Sequence, residues 1–381
     1  MVPMTMDVIK GGIIDILPMS AFTDRGGSFE QLAAKGAFID LYPFMENDPE
    51  INLDTLNAHI LSLAETDGKL VYLPTHFCID TLIGPARYVG TKENWTLDDF
   101  KEKWAERPEG ATINGVTERD YVYREILRGN IGNFIDYKNA TCSFDSQEFL
   151  DIIEFLETFP ANNGWVEHIH SSETILFLQS GYITGFMDYH GRMLGDRFIF
   201  TGEKDEMTLV GYPSNDGSGA MITFEGTPIG ICQSASPEKQ AAAWEFIRTL
   251  VDYDFQYEEA HLYDEWFTLD DGTEVFQCNQ SGFPMNNAVY EKLADEWIHM
   301  ENQNIQSVQG NKVDFGWLTQ EEYETLTHYI STVNRAETHL DDDLWNIIND
   351  EMMIFCGGEY TPQQLCDMIQ NRVSIMVSEK S

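Results

Sequence analysis

Apolar and polar positions alternate along this chain in two rhythms. In "NWTLDDFKEKWAE" the apolar residues Leu97, Phe100 and Trp104 fall three and four apart, the spacing of one helix face. Thr96 ahead of them, with Asp99 three positions on, makes a capping box. "SFDSQEFLDIIEFLETF" repeats the device, with Ser143 or Asp145 as cap and Phe149, Ile152, Ile153, Phe155 and Leu156 on the buried side. Gln31–Lys35 reads as a helix stopped by Gly36. From Glu321 onward the pattern is mostly helical, and in "TPQQLCDMIQNRVSIMVSE" Thr361 caps, Pro362 takes the first helical position and Gln364 completes the box. Short apolar runs bounded by Gly and Pro predict strands at Ile13–Leu17, at 69–74 ("KLVYLP"), within 79–90 ("IDTLIGPARYVG") and at Ile229–Ile231. "SGYITGFMDYHGR" (180–192) reads as a strand ending in a polar and aromatic cluster. Strands alternating with helices predict an α/β protein; the chain has no internal repeat and no low-complexity linker.

One stretch raises a question of chemistry. In "GICQSASPEKQAAAWEFIRTLV" (230–251) a strand ends at Cys232 and a helix over Ala241–Leu250 follows, with Ser236 as cap and Pro237 at its first position. Hydrolases present a nucleophile at such a turn, but between two glycines and directly against the helix. Cys232 stands four residues before the cap with no companion His in a partner motif, so it reads as structural punctuation.

Composition narrows the classes. At 381 residues the chain is too long for one ordinary core and suggests two lobes. With 23 Lys and Arg against 64 Asp and Glu, the net charge of −41 would repel nucleic acid and anionic lipid and favours solubility outside a cell. No run is apolar enough for a membrane span. The opening "MVPMTMDVIKGGIIDILPMS" lacks a signal-peptide progression and reads as entry in mid-domain. The six Cys (78, 142, 232, 278, 356, 366) have no metal-ligand spacing. They read as scattered buried thiols, with a Cys356–Cys366 disulfide as the alternative.

Seven segments in order resemble the extracellular solute-binding proteins, family 1, of ABC importers, the sugar-binding group that includes maltose-binding protein. They are "GGIIDIL", "LAAKGAFIDLYPFMENDPEIN", "DGKLVYLPTHFCIDTL", "TLDDFKE" with "SFDSQEFLDIIEFLE", "GTPIGICQSASPEKQAAAWEFIRTLV", "SGFPMNNAVYE" and "IINDEMMIFCGGEYTPQQLCDMIQNRVSIMVSE". The resemblance departs at the front, where the family's signal or lipoprotein Cys and first β-α-β unit are missing.

The resemblance implies a two-lobed, type II periplasmic-binding-protein-like α/β fold with a hinge and a ligand cleft between lobes. Lobe 1 would hold 1–78 and 228–305, lobe 2 would hold 83–224 and 310–381, and the hinge would lie near 76–81 and 223–228. It implies a non-enzymatic, monomeric component that binds a mono- or oligosaccharide and delivers it to membrane permease subunits, with no cofactor, metal or nucleic acid. Its location would be extracellular, cell-surface (lipid-anchored in the precursor) or periplasmic.

Sugars need aromatic planes for their C–H faces and fixed donors and acceptors for their hydroxyls. "AFTDRGG" offers Phe22 with Asp24 and Arg25, against a solvated turn; "FMDYHGR" offers Asp188, Tyr189, His190 and Arg192, with Tyr189 as stacking platform. "TERDYVYRE" places Glu118, Asp120 and Tyr121 at the start of a helix, against an exposed helix face. His76 reaches the cleft or fills the hinge. Trp266, Trp317 and Glu225 complete the set. The rival readings are a secreted glycoside hydrolase, for which no acid stands in an apolar, aromatic strand-end context, and a ligand-sensing accessory domain, for which there is no signalling output.

Overall fold

The computed structural model describes residues 15–18, 32–33, 35–137, 139–161, 174–217, 219–226, 228–262, 264–268, 272, 274–277, 281–308, 311–336 and 342–380. Its principal strands are β1 (Ile16–Pro18), β2 (His76–Pro85), β3 (Ala111–Ile113), β4 (Ile175–Ile183), β5 (Met207–Leu209), β6 (Met221–Glu225), β7 (Ile229–Ile231), β8 (Phe283–Pro284) and β9 (Arg335–Ala336). The longer helices are α1 (Leu97–Ala105), α2 (Arg119–Leu127), α3 (Gln147–Glu157), α4 (Phe186–Leu194) and α5 (Pro237–Ile247). They continue with α6 (Tyr253–Ala260), α7 (Asn287–Ile298), α8 (Gln320–Thr332), α9 (Asp342–Cys356) and α10 (Pro362–Lys380).

Two compact units share these elements. Unit 1 is Met1–Ile79, Tyr182–Gly202 and Ile222–Ala336; unit 2 is Asp80–Gly181, Glu203–Met221 and Glu337–Ser381. The chain thus changes unit at 79/80, 181/182, 202/203, 221/222 and 336/337.

In unit 2, β5 runs antiparallel to the second half of β2, with Ile83 opposite Leu209. β3 runs parallel to β4, with Ala111 opposite Ile175 and a register shift after Thr112. The α1 stripe is buried as its spacing requires: Phe100 and Trp104 stack with centroids 6.0 Å apart, and Trp104 continues onto Phe159 at 5.0 Å. The Thr96–Asp99 capping box forms in both directions. For α3 the cap is neither Ser143 nor Asp145 but Ser146, whose hydroxyl accepts the Phe149 N–H at 3.3 Å. Ser143 is occupied one turn earlier, its N–H donating to the Phe134 carbonyl at 2.9 Å. The core is closed by Leu344, Ile348 and Met352 of α9 and by Leu365, Ile369 and Val373 of α10.

In unit 1, β1 pairs antiparallel with β7, Ile16 facing Ile231, and β8 pairs antiparallel with the start of β2, Phe283 facing Phe77 and Pro284 facing His76. The run 180–192 departs from the expected strand. Extended backbone ends with β4 at Ile183 and a helix begins at Phe186. The Asp188 carboxylate draws the chain round by accepting the Thr184 N–H at 3.0 Å. Beyond that point the buried residues Phe186, Tyr189, His190, Met193 and Leu194 follow the helix period.

Two stretches expected in the second lobe, 182–202 and 310–336, belong to unit 1 instead. Their packing explains it: Phe186 of α4 lies edge-on to Phe283 at 5.2 Å and against Tyr290 at 4.8 Å, while His190 bonds Glu322 of α8 at 2.9 Å.

Candidate functional site

In unit 1 the expected residues Asp188, Arg192 and Glu225 are joined through a residue the sequence did not single out, Tyr182 at the end of β4. Asp188 and Arg192 sit one turn apart on α4, with Asp188 Oδ1 3.2 Å from Arg192 Nε. Arg192 Nη2 donates to the Tyr182 carbonyl at 3.1 Å, and the Tyr182 hydroxyl donates to Glu225 Oε1 at the end of β6. Burial first, and then the Glu225 carboxylate, push the Tyr182 phenol well above its usual range, so it stays a neutral donor. The carbonyl of Glu225 accepts from Thr75 Oγ1 at 3.3 Å, which brings the array beside His76. The Asp188 and Arg192 side chains keep 32% and 28% of their surface exposed, so both charged heads can still meet a solute.

His76 is 3% exposed, with Nε2 3.7 Å from Glu259 Oε2 and Nδ1 without a hydrogen-bond partner among the described residues. Burial pulls its pKa down to about 4, so the ring is neutral at pH 7 and one nitrogen is an acceptor. The tight turn after β6 makes room for it. Gly226 has φ +79°, and a Cβ there would lie 2.3 Å from Thr75 Oγ1 and 3.3 Å from His76 Nδ1. Gly226→Ala is therefore expected to cost roughly 2 kcal/mol of stability from left-handed backbone strain plus crowding, read by urea unfolding.

Other expected residues are placed differently. Tyr189 is 1% exposed, so its ring is interior packing with no open face, and the expected stacking platform is corrected on that ground. His190, 3% exposed, is likewise a core histidine: Nδ1 meets Glu322 Oε2 at 2.9 Å and Nε2 meets the Phe315 carbonyl at 2.8 Å, which uses both nitrogens inside the protein. Trp317 stacks on Trp297 at 5.7 Å and donates its indole N–H to the Asn302 carbonyl. Trp266 falls in a hairpin strand, Glu265–Thr268, and its side chain lies outside the described residues, as do Phe22, Asp24 and Arg25.

Glu118, Asp120 and Tyr121 belong to unit 2 at the N-terminus of α2, as the sequence indicated. Glu118 turns back to accept the Thr117 N–H at 3.0 Å, and Tyr121 is 39% exposed.

Unit 2 also holds a polar cluster that sequence reasoning missed. Asp80, 1% exposed in the middle of β2, pairs with Arg128 and accepts the Tyr212 hydroxyl at 2.6 Å. Beside it, Glu125 accepts from Asn114 Nδ2 at 2.9 Å, and Asn114 also donates to Ser180 Oγ at 2.8 Å. Burial raises the Glu125 carboxyl above its usual range. The signal was present: Asp80 is the lone acid in the otherwise uncharged run "HFCIDTLIGP", which is buried throughout.

Three of the described thiols are held in the protonated form, which makes poor nucleophiles of them. Cys232 is fully buried, and burial, followed by the Asp15 carboxylate, pushes it up to about 11, which removes the thiolate at neutral pH. Cys356 and Cys366 are both free, with burial lifting each to about 12. Among the described residues no cluster of His, Cys, Asp and Glu could hold a metal ion, and no helix is long and apolar enough to cross a membrane.

No known family model matches the chain, and no curated protein matches it. Solved structures do. A periplasmic oligogalacturonide-binding protein from Yersinia enterocolitica superposes with TM-score 0.57 at 12% identity, covering 99% of this chain and 88% of that one. An extracellular solute-binding protein family 1 member from Alicyclobacillus acidocaldarius gives 0.56 at 11% identity, over 98% and 86%. A cyclic α-maltosyl-1,6-maltose-binding protein from Arthrobacter globiformis gives 0.52 at 13%, over 98% and 87%. The chain has the α/β fold of the two-lobed periplasmic binding proteins. Another solved neighbour, an ABC transporter solute-binding protein from Agrobacterium radiobacter in complex with ribitol, gives 0.51 at 15% identity, over 98% and 87%.

Proposed function

We propose that the protein is the solute-binding component of an ABC importer and that its ligand is a mono- or oligosaccharide. The observation that carries this is the Asp188–Arg192–Tyr182–Glu225 array of unit 1, set in the fold of the solute-binding proteins with His76 beside it. Hydroxyl recognition needs donors and acceptors held in place before the ligand arrives. Arg192 is fixed by a carboxylate and a carbonyl, and Glu225 by a phenol, so neither has to be ordered on binding. Of the candidate aromatics Tyr121, in unit 2, offers an exposed ring. Delivery to a membrane permease, a location outside the cytoplasm and a monomeric state are parts of the same proposal. They are supported by the kind of protein that shares this fold.

A thermal-shift screen against mono- and oligosaccharides tests it, because a ligand that binds only the folded state must raise the melting temperature. One sugar class is expected to do so, and Arg192→Ala should weaken that sugar about tenfold by calorimetry, the effect of one charge-assisted hydrogen bond. If no carbohydrate shifts the transition, the proposal fails. If one does and Arg192→Ala binds it equally well, the array is not its site.

A further inference from the structure

Outside this array, unit 1 carries a second cluster with its own chemistry. His261 caps the C-terminal end of α6 with both ring nitrogens facing carboxylates: Nδ1 lies 2.6 Å from Asp264 Oδ2 in the following turn, and Nε2 lies 3.1 Å from Glu296 Oε2 on α7. The Tyr257 hydroxyl, one turn back on α6, donates to Glu296 Oε1 at 2.7 Å. Lys292 Nζ reaches the same oxygen at 2.9 Å, and the Tyr257 ring stands edge-on to the imidazole at 4.8 Å. Among the described residues, the titratable and charged groups facing His261 or its partners include Tyr257 on α6 with Tyr253 stacked on it at 5.7 Å, Asp264 in the turn, and Lys292 and Glu296 on α7 with Asp295 acting on Lys292.

A neutral imidazole has one N–H and can donate to only one of two carboxylates. The imidazolium donates to both, balances the cluster at two positive and two negative charges, and sits favourably at a helix C-terminus. Asp264 Oδ1 is buried with no hydrogen-bond partner among the described residues, so this carboxylate depends on the contact its other oxygen makes with His261.

The helix end that this contact holds is tied to the start of β2. Gln256 of α6, fully buried, donates to the Thr75 carbonyl at 2.5 Å and accepts the Asn286 N–H at 2.9 Å. Glu259, one turn further on, faces His76 at 3.7 Å.

We propose that His261 is a proton-operated latch, which in its doubly protonated form pins the end of α6 to α7 and so holds the Gln256 and Glu259 contacts against Thr75 and His76. The electrostatics have the required sign. The Asp264 hydrogen bond, which outweighs the cost of burial, raises the His261 pKa above its ordinary 6.5. Burial disfavours the Glu296 carboxylate, but the Tyr257 hydrogen bond and the Lys292 ammonium outweigh it and hold that pKa down. A raised histidine value means that the latch contributes fully below the ordinary imidazole range and is lost as pH climbs through the folded value. The proposal goes beyond sugar binding and stands whether or not the ligand is a carbohydrate.

The test follows the imidazole signals of His261 by NMR and the hydrogen exchange of the α6 amides and Asn286 N–H across a neutral-to-alkaline pH series, each rate normalised to its intrinsic value. In the wild-type protein His261 is expected to titrate above the ordinary range. As it does, normalised exchange should accelerate by about threefold or more, because losing the latch raises the open population. His261→Gln should remove that pH dependence, and Glu296→Gln should move the midpoint down. An unaltered pH dependence in His261→Gln, or a midpoint at or below the ordinary value, overturns the latch. Should His261→Gln fail to fold, Glu296→Gln and Asp264→Asn carry the test, since each removes one carboxylate and must lower the midpoint.

Discussion

Arg128→Met is expected to cost about 3–5 kcal/mol of unfolding free energy, because it strips the counter-charge from a carboxylate that water cannot reach. Asp80 keeps only 2% of its side-chain surface exposed, and the Tyr212 hydroxyl at 2.6 Å is a neutral partner. A neutral hydrogen bond does not offset the desolvation of a full negative charge in an interior of low polarity. Arg128 itself, 30% exposed, could be solvated without Asp80, so the two halves of the pair are not equivalent. Adding Asp80→Asn to Arg128→Met should restore most of the loss, which identifies the orphaned charge and not the missing arginine packing as the cause. Urea unfolding of the wild type, both single variants and the double variant checks both expectations. A double variant no more stable than Arg128→Met would show that lost packing dominates.

Acid should destabilise the protein through His76. Its folded pKa of about 4 lies below the ordinary 6.5, so between these values the unfolded chain binds a proton that the folded ring refuses. The contribution is absent above 6.5 and grows as pH falls, reaching about 3 kcal/mol once the lower value is approached. Burial is its cause, and the Gly282 backbone packs close against the stem of the side chain: a Cβ on Gly282 would stand 2.9 Å from the His76 Cβ. Unfolding free energies of the wild type and of His76→Gln, measured from pH 7 down to pH 4, should converge as the pH falls, by about that amount over the window. Parallel curves would mean that His76 takes up its proton without resistance.

Much of the local structure was legible because it depends on neighbours in sequence. Thr96 and Asp99, Thr361 and Gln364, and the strand at Ile229–Ile231 ahead of Pro237 all appear as read. A capping box or a proline at the first helical turn needs only a few residues to act. The site was less legible because its partners are remote. Asp80 meets Arg128 and Tyr212, the latter 132 positions away, and Tyr182 meets Glu225 43 positions away. Nothing near any of these residues announces the partner. The run 180–192 shows the boundary between the two cases. Its apolar residues suit a strand up to Ile183, and the switch to helix depends on one side chain, Asp188, reaching back to a backbone N–H. Read as a strand, that stretch appeared to offer Tyr189 and His190 together with Asp188 and Arg192. Helix geometry turns Tyr189 and His190 inward and leaves Asp188 and Arg192 partly exposed.

The five changes of unit along the chain impose an order on biosynthesis. Strands β2 to β4 and helices α1 to α3 of unit 2 leave the ribosome long before α9 and α10, whose side chains seal the same core. At ordinary translation speeds the gap between α3 and α9 lasts on the order of 10 seconds or more. Throughout it Phe149, Ile152 and Trp104 belong to an interior that is not yet closed. A nascent chain in that condition needs shielding from its neighbours, and a ribosome stalled anywhere in unit 1's last segment would release a half-built, adhesive product.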